Sequence, residues 1–160
     1  MTRYIEAFTW TTTIDRFVRE IITERPLLNV CSGRELFGDI NVDLYEPSDV
    51  KADWLKLPFK ADTFAAVFAD PPWNGGYKKA SADFVKEALR IAPIVYVMSP
   101  WIYGSKSASL TRVWVRQLPG VNNAIVIARY ERTKEVPRAR CDSDRRYSRR
   151  ISSELREAER

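Results

Sequence analysis

Phe64-Ala65-Ala66-Val67-Phe68-Ala69-Asp70-Pro71-Pro72-Trp73 is an apolar run that stops on an acid and two prolines. Apolar residues without polar alternation fit a strand buried on both faces of a parallel sheet, which helices must then cover on both sides. Proline lacks an N–H and fixes φ, so the strand ends there and delivers Asp70 to its carboxyl end. Outward from this run, Leu27-Leu28-Asn29-Val30-Cys31 reads as a second buried strand closed by Ser32-Gly33, and Ile40 to Leu44 and Ile94 to Met98 read as two more. Ile14, Phe17, Val18, Ile21 and Ile22 form the stripe of a helix capped by a threonine among Thr11 to Thr13 and ended by Pro26. Phe84, Ala88, Leu89 and Ile91 mark another, with Ser81 as its expected cap. Arg112 to Leu118 and Asn123 to Tyr130 flank Pro119-Gly120 as a late hairpin. The predicted architecture is a mostly parallel α/β sheet with helices on both faces and a C-terminal antiparallel hairpin at one edge.

With 160 residues, 45% hydrophobic, the chain fits one core that needs no disulfide or metal. Histidine is absent, which removes Ser-His and Cys-His nucleophilic pairs and zinc sites with imidazole ligands; no metal site is expected. Cys31 and Cys141 read as reduced thiols. No secretory apolar region follows Met1-Thr2-Arg3, and the longest apolar stretch, Ile91 to Met98, falls short of the roughly 20 residues that span a bilayer, so a soluble cytoplasmic protein is expected. Net charge is +5, and the stretch from Arg129 to Arg160 holds 11 basic against 7 acidic side chains. A polyanionic partner fits that bias. Hydrophobic residues thin out after Arg132, so residues 1–132 are read as the folded domain and 133–160 as a basic extension, either solvated or a phosphate-binding tail.

Four segments carry chemistry. The loop Cys31-Ser32-Gly33 to Gly38 follows a parallel strand, where open α/β sheets bind ligands and where glycine lets backbone approach them. Asp43 ends the next strand, where a carboxylate can accept the hydroxyls of a ribose. Asp53 can accept the amine of a bound adenine; Trp54 or Leu55 would cover its ring, although the plain reading of Trp54, Leu57 and Phe59 is core packing. Asp70-Pro71-Pro72-Trp73 is the most specific. An exocyclic amine on an aromatic base is a poor nucleophile because its lone pair is delocalised. The Asp70 carboxylate and the Pro71 carbonyl can accept its two protons from a frame that Pro71 and Pro72 stiffen, while Trp73 offers a stacking face for an extruded base. Tyr77, Lys78 and Lys79, after Gly75-Gly76, sit where a mobile substrate loop would be. Trp101, after Ser99-Pro100, either walls the base pocket or packs in the core.

Asp70-Pro71-Pro72-Trp73 resembles the catalytic motif of adenine-N6 methyltransferases acting on DNA or RNA. The glycine loop, Asp43, and Asp53 followed by Leu57-Pro58-Phe59 are similar, in the same order, to the S-adenosylmethionine-binding motifs of class I methyltransferases. The resemblance covers roughly residues 27 to 101. It implies a Rossmann-like domain, methionine binding by Cys31, Ser32 and Gly33, a ribose contact at Asp43, an adenine contact at Asp53, and base capture by Asp70 to Trp73. Ser32 stands where such loops often carry glycine. S-adenosylmethionine is the implied cofactor and nucleic acid, DNA ahead of RNA, the implied partner; a second copy of the chain is left open. Cytosine N4 or guanine N2 as the target amine, and a non-catalytic subunit that presents nucleic acid, remain the alternatives.

Overall fold

The computed structural model describes residues 9–73, 75–104, 106, 108–117 and 124–133, with the backbone alone for 75–79. Its elements are α1 (Thr12–Ile21), β1 (Leu27–Val30), β2 (Ile40–Asp43), β3 (Val50–Lys51), β4 (Ala66–Ala69), α2 (Gly75–Ile91), β5 (Ile94–Ser99), β6 (Ala108–Arg116) and β7 (Ile125–Arg132). They form one sheet of order β3-β2-β1-β4-β5-β7-β6. Strands β1 to β5 pair in parallel, and β7 runs antiparallel to both of its neighbours, β5 and β6. The chain winds outward from β1 through β2 to β3, then returns to place β4 on the other side of β1. That reversal is a topological switch point, where an open α/β sheet has its crevice.

The strands are mostly apolar because their side chains feed two cores, one on each face of the sheet. Leu28, Val30, Val67 and Ala69 face α2 residues Phe84, Val85, Ala88 and Ile91, together with Trp54 and Leu57. Leu27, Ala66 and Phe68 face the other way, onto Ile14, Val18 and Ile22 of the α1 segment and onto Phe37, Tyr96 and Met98. The α1 stripe lies as its spacing predicts, and the Thr11 side chain accepts the Ile14 N–H as N-cap. Asn29 and Asn41 break the apolar pattern inside the sheet. The Asn29 amide donates to the Glu35 carbonyl (2.6 Å) and to Asn41 Oδ1 (3.2 Å), which also accepts from the Gly38 N–H (3.0 Å). This buried polar pair ties the β1–β2 loop down onto the sheet.

Helix α2 begins at Gly75, so Ser81 is a fully buried residue inside it and not its cap. The stretch Gly75 to Lys79, expected as a mobile loop, is the first turn of that helix; the side chains of Tyr77, Lys78 and Lys79 lie outside the described residues. The hairpin strands start or end a few residues from the expected bounds, and their Pro119-Gly120 turn, like residues 134–160 of the basic extension, is outside the described residues. Among the described residues no helix is long and apolar enough to cross a membrane.

Candidate active site

Register decides which side chains meet. Val30 pairs with Ala69 across β1 and β4, so Cys31 and Asp70 leave the sheet side by side at its carboxyl edge, on the switch point. Val30 also pairs with Val42, which puts Asp43 on the other flank of Cys31, and Asp43 pairs with Lys51, two residues before Asp53. The convergence shows in the thiol: burial first, then the charges of Asp43, Asp70 and Asp53, push Cys31 well above its ordinary pKa. A thiol held protonated is no nucleophile, in keeping with chemistry that uses no covalent enzyme intermediate.

The loop after β1 is shaped by two left-handed residues, Cys31 (φ 53°) and Gly33 (φ 54°). For Cys31 that conformation is strained. The Ser32 N–H donates to the Val42 carbonyl (3.1 Å) and the Gly33 N–H to Asp43 Oδ2 (2.9 Å), while Asp43 Oδ1 accepts from the N–H groups of Tyr45 (2.8 Å) and Glu46 (2.9 Å). Asp43 is therefore the clasp of the loop. Of about four acceptor positions on a carboxylate it has roughly one left for a ligand. The buried Ser32 hydroxyl finds no partner among the described residues.

Gly38 has a different reason to be glycine from the one expected. A Cβ there would lie 2.7 Å from the Ile40 carbonyl oxygen, 2.8 Å from Asn29 N and 2.9 Å from Asn29 Cβ, so the missing side chain lets backbone pack on β1 and leaves no opening for a ligand. Gly38→Ala is expected to destabilise by about 1–3 kcal/mol through overpacking against atoms that cannot move aside. A chemical-denaturation midpoint equal to wild type would contradict this.

Asp53 is exposed and closes a local turn, its Oδ1 accepting the Leu55 N–H (2.9 Å). Trp54 is buried and stacks on Phe84 with ring centroids 4.8 Å apart, so it belongs to the core; Leu55, 38% exposed, is the member of the pair open to a ligand. Trp101 is half-buried, packs against the α2-side core and bonds through its indole N–H to the Tyr103 hydroxyl, which favours its structural reading.

Asp70 is the unusual acid. Its Oδ2 accepts the indole N–H of Trp10 at 2.9 Å, and the Trp73 indole also bonds to it. Burial lifts its pKa from 3.8 to about 7; the Trp10 and Trp73 bonds pull down and the Glu35 charge adds to the rise. Pro71 is buried, and Trp73, next to it but one along the chain, is 38% exposed. Sequence reasoning missed Trp10. It lies 60 residues from Asp70, and neither the α1 stripe nor the Thr11 cap involves it. Its backbone N–H donates to Glu35 Oε1 (2.9 Å), and its ring packs edge-on against Phe68 (5.6 Å) and near Phe37 (6.2 Å).

No protein-family profile and no curated protein matches the sequence. Solved structures do match the fold. TrmN from Thermus thermophilus superposes with a TM-score of 0.53 at 15% identity, over 76% of this chain and 48% of TrmN, so the chain spans about half of that protein. Sp1610 from Streptococcus pneumoniae, a candidate tRNA (m1A22) methyltransferase, gives 0.54 at 11% identity over 92% of this chain and 80% of its own. PH1948 from Pyrococcus horikoshii, a candidate RNA methyltransferase, gives 0.51 at 12% identity over 76% and 82%. At such identities the likeness is one of architecture, and the chain has the Rossmann-like fold of methyltransferases.

Proposed function

We propose that the chain is an S-adenosylmethionine-dependent methyltransferase acting on the exocyclic N6 amine of adenine in nucleic acid, with DNA ahead of RNA. The observation that carries this reading is Asp70: a half-buried carboxylate on the switch point, braced by two indoles and followed by two prolines and an exposed tryptophan.

The donor set fits the cofactor. In a chain of net charge +5, this edge gathers Asp43, Asp53, Asp70 and Glu35, which suits a sulfonium with an ammonium group and disfavours phosphates. Asp43 offers its remaining acceptor position to one ribose hydroxyl, Asp53 and Leu55 are open toward an adenine, and the Cys31 to Gly33 backbone faces the methionine end. When bound, S-adenosylmethionine supplies an activated methyl group. The protein's own part is to hold and deprotonate the amine. Asp70 and the Pro71 carbonyl accept its two N–H groups, Trp73 stacks the base, and Asp70, with a pKa near the working pH, takes the proton that nitrogen sheds.

Nucleic acid as the partner is supported by β6. Arg112 and Arg116 are exposed, lie over the rings of Trp114 (5.5 Å) and Phe17 (5.4 Å), and form no ion pair among the described residues. Arg116 pairs with Ile125, next to the Val126–Ser99 pair, so it stands at the same carboxyl edge as Asp70. Three strand spacings of about 4.8 Å put it roughly 14 Å from β4, within reach of a phosphate flanking an extruded base. Replacing both arginines by alanine is expected to weaken nucleic-acid binding and to lower the slope of log affinity against log salt by about 1.4–1.8, with cofactor binding unchanged. An unchanged slope would refute the contact. The reading as a whole is tested by incubating the protein with methyl-labelled S-adenosylmethionine and, separately, DNA and RNA. Label in one polymer is expected; label in neither refutes it. RNA is the second reading, favoured by the names of PH1948 and Sp1610.

A further inference from the structure

The N-terminal segment before α1 has no part in the binding motifs, yet it reaches the reacting carboxylate. Trp10 is 8% exposed, its ring packs in one cluster with Phe37 and Phe68, and its backbone is tied to Glu35. An indole N–H only donates, so it bonds best to an ionised acceptor. A ring packed on two others cannot follow a carboxylate that turns. We propose that Trp10 is the positioning residue of the amine-capturing acid: its indole N–H fixes Asp70 through Oδ2 in the orientation from which the remaining lone pairs accept the amine protons. This rests on the methyltransferase reading above.

The surroundings make such a donor necessary. The groups that face Asp70 are Glu35 from the β1–β2 loop, Cys31 from the end of β1, with Asp43 and Asp53 beyond the thiol, and the indole of Trp73. Burial and Glu35 both favour the protonated acid, and a protonated acid offers the amine a donor where an acceptor is required. The two indole N–H groups are what counter them, and Trp10 is the stronger of the two.

Two variants test the proposal: Trp10→Phe, and replacement of Trp10 by benzothienylalanine, which keeps the bicyclic shape and exchanges the N–H for sulfur. In the wild type, methyl transfer (kcat/KM) should rise with pH through about 7 as Asp70 ionises. In the benzothienyl protein the rise should move up by about 1–2 pH units, the effect of a lost charge-assisted hydrogen bond. Activity at pH 7 then falls roughly 5- to 50-fold and recovers toward pH 9. A second readout needs no activity. The melting-temperature difference between each protein and its Asp70→Asn counterpart should vary with pH up to about 7 in the wild type, and to higher pH once the Trp10 N–H is gone. A folded benzothienyl protein with both profiles unmoved, or with an equal activity loss at every pH, overturns the proposal and leaves Trp10 a packing residue. If the wild type methylates neither polymer, the functional reading fails, while the melting comparison still decides whether Trp10 sets the state of Asp70.

Discussion

Asp70→Asn is expected to lower methyl-transfer turnover by about 10²–10³, the usual cost of removing one preorganised polar group from a transition state. S-adenosylmethionine affinity should stay close to wild type, because the acid acts on the amine. Stability should not fall. Burial holds Asp70 at about 7 against its ordinary 3.8, so the folded protein binds this proton more tightly than the unfolded chain. Ionisation of Asp70 therefore costs stability as pH rises from about 4 to 7, and above 7 that cost is complete. The neutral asparagine removes it while its amide oxygen can still accept the Trp10 N–H. At pH 8 the variant should melt at or above the wild-type temperature while having lost its activity. A variant that melts lower and loses activity in proportion would make Asp70 to Trp73 a structural turn.

Asp43→Ala should instead damage binding and folding together. The carboxylate accepts the N–H groups of Gly33, Tyr45 and Glu46, and Gly33 is in a left-handed conformation that the bond helps to hold. Leaving the Gly33 donor unpaired should cost about 1–3 kcal/mol. Tm then falls by about 2–4 °C for each of those kcal/mol in a chain of this size. The ribose loses its charge-assisted bond at the same time, which weakens S-adenosylmethionine and its demethylated product by roughly 10- to 150-fold. Calorimetry beside thermal melts checks both. Weaker binding at unchanged Tm would mean that Asp43 serves the ligand alone; unchanged binding would remove it from the site.

The sheet was legible because strands buried on both faces are mostly apolar without regular polar alternation, and β1, β4 and β5 run into glycine or proline within three residues of their ends. The acids were legible for the same reason: strand ends of a parallel sheet share one edge, so Asp43, Asp53 and Asp70 had to converge if the strands were placed correctly. What stayed hidden depends on contacts between distant residues or on patterns too short to read. Gly75-Gly76 looks like a loop by propensity but is recruited into α2, whose buried face carries the helix. Strand β3 has two residues, too few for any periodicity. Asn29 and Asn41 look like flaws in apolar strands until their mutual bond shows them to be the fastening of the loop. Gly38 looks in the sequence like a close approach of backbone to a ligand, whereas the atoms against it are the Ile40 carbonyl and Asn29 of β1. Trp10 carried no local signal, since its partner is 60 residues away.

The claim that Asp70 presents an exocyclic amine for methylation is tested most directly by digesting DNA and RNA to nucleosides after incubation with isotopically labelled S-adenosylmethionine and resolving the products by mass spectrometry, wild type beside Asp70→Asn. The account predicts labelled N6-methyladenine nucleoside from the wild type and a trace at most from the variant. A label carried on carbon, on a ring nitrogen or on ribose, or an equal yield from the variant, would contradict it.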